Sequence, residues 1–287
     1  MKTASKAVLT GFILASSWSA QAAMCNTSDV QIDFIQVQDG VDSGTSLVTP
    51  ISATSCLGAF SGNNSAFENP TMGNLGYKDD GWFNIDSYNG WWDTPGAFVE
   101  EDELQDLQGM GNIDPGWIYV GKSEGSGFQG ATMNGENTSY TFIDDLITLS
   151  GCKTKGGADT GCFDNAVSGN FTWDPPATNP DALLDLLGGQ FFDKVGIVFK
   201  SGNAFAMYEF DLAGIGLDPV FAGDYNYLFS GTWDMSDTLI NNGGQPAGLS
   251  NLTAWARDPA STDVPLPPTA VLILFTLVLA IRRRIMA

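Results

Sequence analysis

The sequence predicts a mainly β fold, an antiparallel β-sandwich of jelly-roll or lectin-like type carrying one or two short helices. Three observations point there. Apolar residues recur in short runs of period two, the mark of strands with one buried face. The runs are broken by Gly, Asn and Asp, and 34 Gly and 13 Pro supply many turns. Helix signals are scarce, so a parallel βαβ arrangement finds no support.

Taken in order, residues 30–34 (Val-Gln-Ile-Asp-Phe) alternate apolar and polar. Residues 139–142 (Ser-Tyr-Thr-Phe) alternate as well and lead on to Leu146, Ile147, Thr148 and Leu149. Residues 195–199 (Val-Gly-Ile-Val-Phe) are continuously apolar apart from one Gly, which predicts a buried strand. Residues 204–210 follow after Lys200, Ser201, Gly202 and Asn203, a hairpin-like turn. Residues 225–233 and 249–255 complete the series. Trp82, Trp117, Trp173, Trp233 and Trp255 lie in strand-like contexts and are expected in the core. One short helix is predicted over 182–187, with Asn179 as its cap, Pro180 in its first turn and Gly188-Gly189 as its stop. A second is expected over 100–108.

Charge excludes whole classes of function. Acids number 33 against 12 bases. All the acids lie between Asp29 and Asp263, where seven bases stand against them for a net charge of −26. Such a surface repels phosphate backbones, so no nucleic-acid partner is expected. Histidine is absent. That removes Ser-His-Asp triads, Cys-His dyads and His-ligated zinc. With no specific catalytic motif either, a non-enzymatic protein is expected.

The two ends have the form of addresses. Residues 1–23 read as a secretory signal peptide: Lys2 and Lys6, a short apolar run over 7–15, then Ala20-Gln21-Ala22 as a small-x-small cleavage site. Residues 24–255 form the predicted ectodomain and 256–264 a polar stalk. The tail, 265–287, holds the most specific pattern. Val264, Pro265, Leu266 and Pro267 precede an uncharged run over 269–281, and Arg282, Arg283 and Arg284 follow. As a helix that run spans about 20 Å, short of the ~30 Å hydrocarbon core. The arginines would hold its far end in the cytoplasm. The physics is that of a stop-transfer peg that pauses a translocating chain.

This order of proline motif, apolar run and arginine cluster resembles the PEP-CTERM class of bacterial sorting signals, in a variant with Val-Pro-Leu-Pro at 264–267. The resemblance implies processing near the proline motif by exosortase, a membrane-embedded cysteine protease-transpeptidase. It implies a Gram-negative host that makes exopolysaccharide. The expected partners are then exosortase and the export machinery, the inner membrane in transit, and exopolysaccharide at the destination. Segments 198–210, 230–233 and 241–255 also look like the terminal part of many PEP-CTERM ectodomains, and residues 117–122 fit the same pattern. Two rival readings stand beside this one. Residues 266–270 (Leu-Pro-Pro-Thr-Ala) look like a sortase signal, although the apolar run starts without the usual spacer. The tail also fits a plain single-pass anchor.

Four cysteines, Cys25, Cys56, Cys152 and Cys162, suit an oxidising compartment. They allow three pairings, of which Cys25–Cys56 with Cys152–Cys162 closes the shortest loops. Three constellations are candidates for ligand chemistry. Paired carboxylates at 79–80, 100–103 and 144–145 are the minimum for glycoside hydrolysis. Asp79, Asp80 and Asp86 form the densest set of oxygen ligands, which makes calcium the one cofactor candidate. Trp91, Trp92 and Asp93 would provide an aromatic platform for a glycan. The expected role is therefore an exported, surface-targeted protein of the polysaccharide or biofilm matrix. The alternative is a carbohydrate-binding or carboxylate-dependent glycan-active module.

Overall fold

Strands dominate the computed structural model, which describes residues 24–38, 45–62, 117–134, 139–186, 192, 194–212, 215 and 226–257. A 3-10 turn, Thr27–Asp29, opens the described chain. The strands that follow are β1 (Val30–Val37), β2 (Thr45–Ser52), β3 (Ser55–Ser61), β4 (Trp117–Glu124), β5 (Gly127–Gly130), β6 (Thr132–Asn134) and β7 (Ser139–Thr141). Next come β8 (Ile147–Lys153), β9 (Ser168–Trp173), the helix α1 (Asp181–Leu186), β10 (Lys194–Ser201), β11 (Ala204–Asp211), β12 (Tyr227–Asp234) and β13 (Leu249–Arg257). A five-stranded sheet runs in the order β2-β1-β12-β9-β8 and a six-stranded sheet in the order β3-β11-β10-β13-β4-β5. Strands β6 and β7 form a separate ribbon. Every pairing is antiparallel.

The two large sheets pack as the sandwich that the alternating pattern predicts. Their inner faces interdigitate aromatic rings. Phe199 of β10 meets Trp233 of β12 at 5.4 Å between centroids, and Phe210 of β11 meets Phe229 of β12 at 6.3 Å. Both distances lie in the range aromatic pairs prefer. Trp117, Trp173, Trp233 and Trp255 are all buried, as their contexts predict. Glycine is needed where backbones crowd. A Cβ on Gly231 would lie 1.8 Å from the Gln31 carbonyl oxygen, where β1 bulges between Ile32 and Phe34 against β12.

The sheets differ on their outer sides. Strand β12 alternates cleanly: Tyr227, Phe229 and Trp233 point inward and are buried, whereas Thr232 and Asp234 are exposed. Strand β10, in contrast, is buried at every position from Val195 to Ser201. Val195, Ile197 and Phe199 belong to the central core. On the other side of the same sheet Trp117, Tyr119, Val198, Phe205, Met207 and Trp255 are also buried, but they stand apart from that core. Gly196 makes room among them, since a Cβ there would sit 2.7 Å from Met207 Cε and 3.0 Å from the Trp117 ring. Two dry faces on one antiparallel sheet explain why its strands lack the polar half of the alternation.

Some local expectations need correcting. The predicted helix forms as α1, but Pro180 takes the cap position: its carbonyl accepts from the Leu183 and Leu184 amides at 2.9 and 3.1 Å. The Asn179 side chain instead accepts from Asn226 Nδ2 at 2.9 Å, a tertiary bond that competes with capping. Strand β13 continues through Ala256 and Arg257, both buried, two residues into the segment read as a stalk. The register explains this, because Ala256 pairs with Val195 and Ile118, and Arg257 with Lys194 and Trp117. The signal peptide, the second helix over 100–108, Trp82 and the tail lie outside the described residues. Among the described residues no helix is long and apolar enough to cross a membrane.

Candidate functional site

Of the four cysteines, Cys25 joins Cys56 and Cys152 joins Cys162, the pairing that closes the shortest loops. The first bridge fastens the segment entering β1, in one sheet, to the edge strand β3 of the other. The Cys25 amide reinforces it by donating to the Gly58 carbonyl at 3.1 Å. The second staples the connection between β8 and β9. Two disulfides and no free thiol among the described residues belong to an oxidising, extracytoplasmic environment.

Next to the first bridge lies a half-buried polar node. Asp29 Oδ2 accepts from Tyr208 Oη at 2.7 Å, from Thr238 Oγ1 at 2.6 Å and from the Asn26 amide at 3.0 Å. Tyr208 belongs to β11, and Thr238 to the connection between β12 and β13. One carboxylate thus ties the N-terminal turn to both sheets. Burial, and then the Asp29 carboxylate that it bonds, push the Tyr208 phenol well above its ordinary value of 10.0. The hydroxyl therefore stays protonated and donates, which is structural work.

Two kinds of hollow open on this frame. One lies at the end of the sandwich between Tyr140, Phe142, Trp173, Phe192, Tyr227 and Phe229, with a volume of about 60 Å³. That is far below the ~300 Å³ at which small-molecule pockets begin. It has room for a few waters and none for a sugar ring. The others are larger and lined mainly by polar residues. A hollow of about 600 Å³ lies beside Gln31, Lys153, Ser168, Asn170, Thr232 and Asp234. A second, of about 510 Å³, shares Lys153, Ser168 and Asp234 with it, so the two are contiguous. Lys153 pairs with Asp159 on the stapled loop, which offsets its charge.

The outer face of the five-stranded sheet, part of which lines the larger hollow, carries two rungs of side chains in register. Ser52, Gln31, Thr232, Asn170 and Ser150 align across all five strands. Phe34, Ser230, Thr172 and Thr148 align across four. Thr232, Asn170, Ser150 and Thr148 are exposed, and Gln31 Nε2 donates to Ser52 Oγ at 3.2 Å. Phe34 faces outward because the bulge at Asp33 shifts the alternation of β1 by one residue. At the edge of this region the Trp233 indole N–H is buried without an acceptor. It lies beside Gly169, where a Cβ would come 3.1 Å from Nε1 and 2.8 Å from Cys152 Sγ.

The other residues singled out from the sequence lie outside the described residues. They are Trp91, Trp92 and Asp93 of the aromatic platform, Asp79, Asp80 and Asp86 of the calcium candidate, Val264, Pro265, Leu266 and Pro267 of the proline motif, and Arg282, Arg283 and Arg284. Asp144 and Asp145 are described and stand on a turn, with Asp144 Oδ1 accepting from the Gly130 amide at 3.1 Å. That bond makes Asp144 a turn residue. Among the described residues no group of three or more Cys, Asp or Glu could hold a metal ion. The rungs escape sequence reading because their members come from five strands scattered between residues 31 and 232. No family model, curated protein or solved structure matches this chain.

Proposed function

We propose that this chain is an exported, non-enzymatic β-sandwich protein whose PEP-CTERM-like tail is processed by an exosortase, and that its mature form belongs to the extracellular polysaccharide or biofilm matrix of a Gram-negative bacterium. The observation that carries export is the pair of disulfides within the ectodomain, which require an oxidising compartment to persist. The order of Pro265, Leu266 and Pro267, the uncharged run and Arg282, Arg283 and Arg284 supports sorting at the inner membrane and release from it. In this reading those residues are substrate elements and not catalysts. The acidic surface keeps the released protein soluble by self-repulsion.

Intact-mass measurement of the released protein tests the reading. The expected product has lost residues 1–23 and everything after the proline motif, and its mass under non-reducing conditions is four hydrogens lighter than the reduced form. A product that still carries Arg282, Arg283 and Arg284 refutes sorting and leaves a permanently anchored protein.

A further inference from the structure

We propose that the outer face of the five-stranded sheet, together with the open hollow that its first rung helps to line, binds a neutral polysaccharide. The inference rests on the matrix reading above and adds to it the face and the chemistry of the partner. Three observations carry it. First, the face is chemically selective. The eight polar members of its two rungs are hydroxyl or amide side chains, and none is charged, on a segment whose net charge is −26. Hydroxyls and amides both donate and accept, as the hydroxyls of a sugar do, so they pair with such a ligand without burying an uncompensated charge.

Second, the geometry is that of a strip. The rungs repeat across the sheet at about 4.8 Å between strands and, along β12, β9 and β8, at about 6.7 Å. Such a lattice presents bonding groups to a chain polymer and encloses no small molecule. Gln31, Thr232 and Asn170 of the first rung also line the open hollow of about 600 Å³. Third, the face supplies an apolar ring. Phe34, half-buried, stands in the second rung beside Ser230. A ring among hydroxyls suits the C–H face of a sugar and its equatorial hydroxyls together.

Charge selects between polysaccharides. Asp29 and Asp234 line the hollow, and Asp237 and Lys155 line the one contiguous with it, so three carboxylates stand against Lys153 and Lys155. Lys153 is engaged by Asp159. A polyanion would meet net repulsion there, whereas a neutral chain would not.

Affinity electrophoresis of the released, disulfide-bonded protein tests the proposal. The probes are gels cast with hydroxyethylcellulose, mannan or glycol chitin as neutral polymers and with polygalacturonate as the acidic one. The expected result is retardation by at least one neutral polymer and none by polygalacturonate. The double variant Thr232→Glu/Asn170→Asp, changed at two exposed positions, should lose that retardation by about tenfold in apparent affinity, as expected for two lost hydrogen-bonding groups. Its melting temperature should stay unchanged. Thr148→Glu, on the other rung, should weaken binding in the same direction. Retardation equal in the variants, retardation by polygalacturonate, or none by any neutral polymer would each overturn the proposal. Loss of the tail is read independently by mass, so a failed glycan test with a processed tail rejects this face alone, and an unprocessed tail with glycan bound rejects only the sorting.

Discussion

Thr232 and Asn170, on the outer side of the five-stranded sheet, are exposed, while Val198 and Trp255, on the outer side of the six-stranded sheet, are fully buried. The two sheets share one core and have opposite second faces. In β12 the polar half of the alternation survives, because water is its partner. In β10 and β13 it has been replaced by apolar residues and glycine. The few polar groups that remain there are held by the protein: Thr253 Oγ1 accepts from the Trp255 indole N–H at 3.4 Å, and Lys200 Nζ donates to the Gly202 carbonyl. One sheet is a wall between core and solvent. The other is buried on both sides along β10.

The largest expected effect comes from placing the same charge on each outer face. Val198→Asp buries a carboxylate opposite Met207, on a face where Trp117 and Trp255 are buried too, and it should cost more than about 4 kcal/mol, enough to unfold the domain. Thr232→Asp should change stability by no more than about 0.5 kcal/mol. Urea denaturation of both variants reads the difference, and equal midpoints would break the comparison.

The disulfides sharpen it next. Cys25–Cys56 spans 31 residues and links the two sheets, whereas Cys152–Cys162 spans 10 and stays beside one. On loop entropy the first stabilises by about 3–4 kcal/mol and the second by about 2–3 kcal/mol. Cys25→Ser/Cys56→Ser should therefore melt lower than Cys152→Ser/Cys162→Ser. The reverse order would mean that the N-terminal turn does not hold the sheets together.

The smallest effect concerns the polar node between the sheets. Tyr208→Phe removes one donor from Asp29 and should cost about 1–3 kcal/mol at neutral pH. The sign with pH follows from the raised phenol. Folded Tyr208 keeps its proton where the unfolded side chain, at about 10, has lost it, so its contribution is complete below pH 10 and falls as pH rises further. Wild-type melting should drop more steeply above pH 10 than that of Tyr208→Phe. Parallel alkaline curves would remove the node from the account.

The sequence discloses the strands whose partners are local or whose composition is unambiguous. The β10–β11 hairpin is visible in the runs flanking Gly202-Asn203, and β12 in the alternation around Phe229. Strand β2 is hidden by Pro50 and by its many hydroxyl residues, which read as loop, and it forms because β1 pairs with it. The core tryptophans are legible because each sits in a strand-like run. The paired outer faces are not. Whether Val198 points into a dry layer, or Thr232 into water, depends on which sheet each strand joins, and that is a property of the whole topology. The rungs are less legible still, since a bulge of one residue in β1 decides that Phe34 and not Ile35 faces outward. The cysteine pairing followed loop length, the one quantity that can be counted along a chain.

Hydroxyl-radical footprinting of the folded, disulfide-bonded protein tests the central contrast most directly, because it reads both outer faces in one sample. Trp117, Tyr119, Met207 and Trp255 should resist oxidation until the protein unfolds, while Phe34, in the rung beside Ser230, reacts in the folded state and Met24, 89% exposed, sets the scale for full access. Oxidation of Trp117 and Trp255 in the folded protein at rates near that of Met24 would show the six-stranded sheet to be wet on its outer side, and would contradict the division of labour between the two sheets.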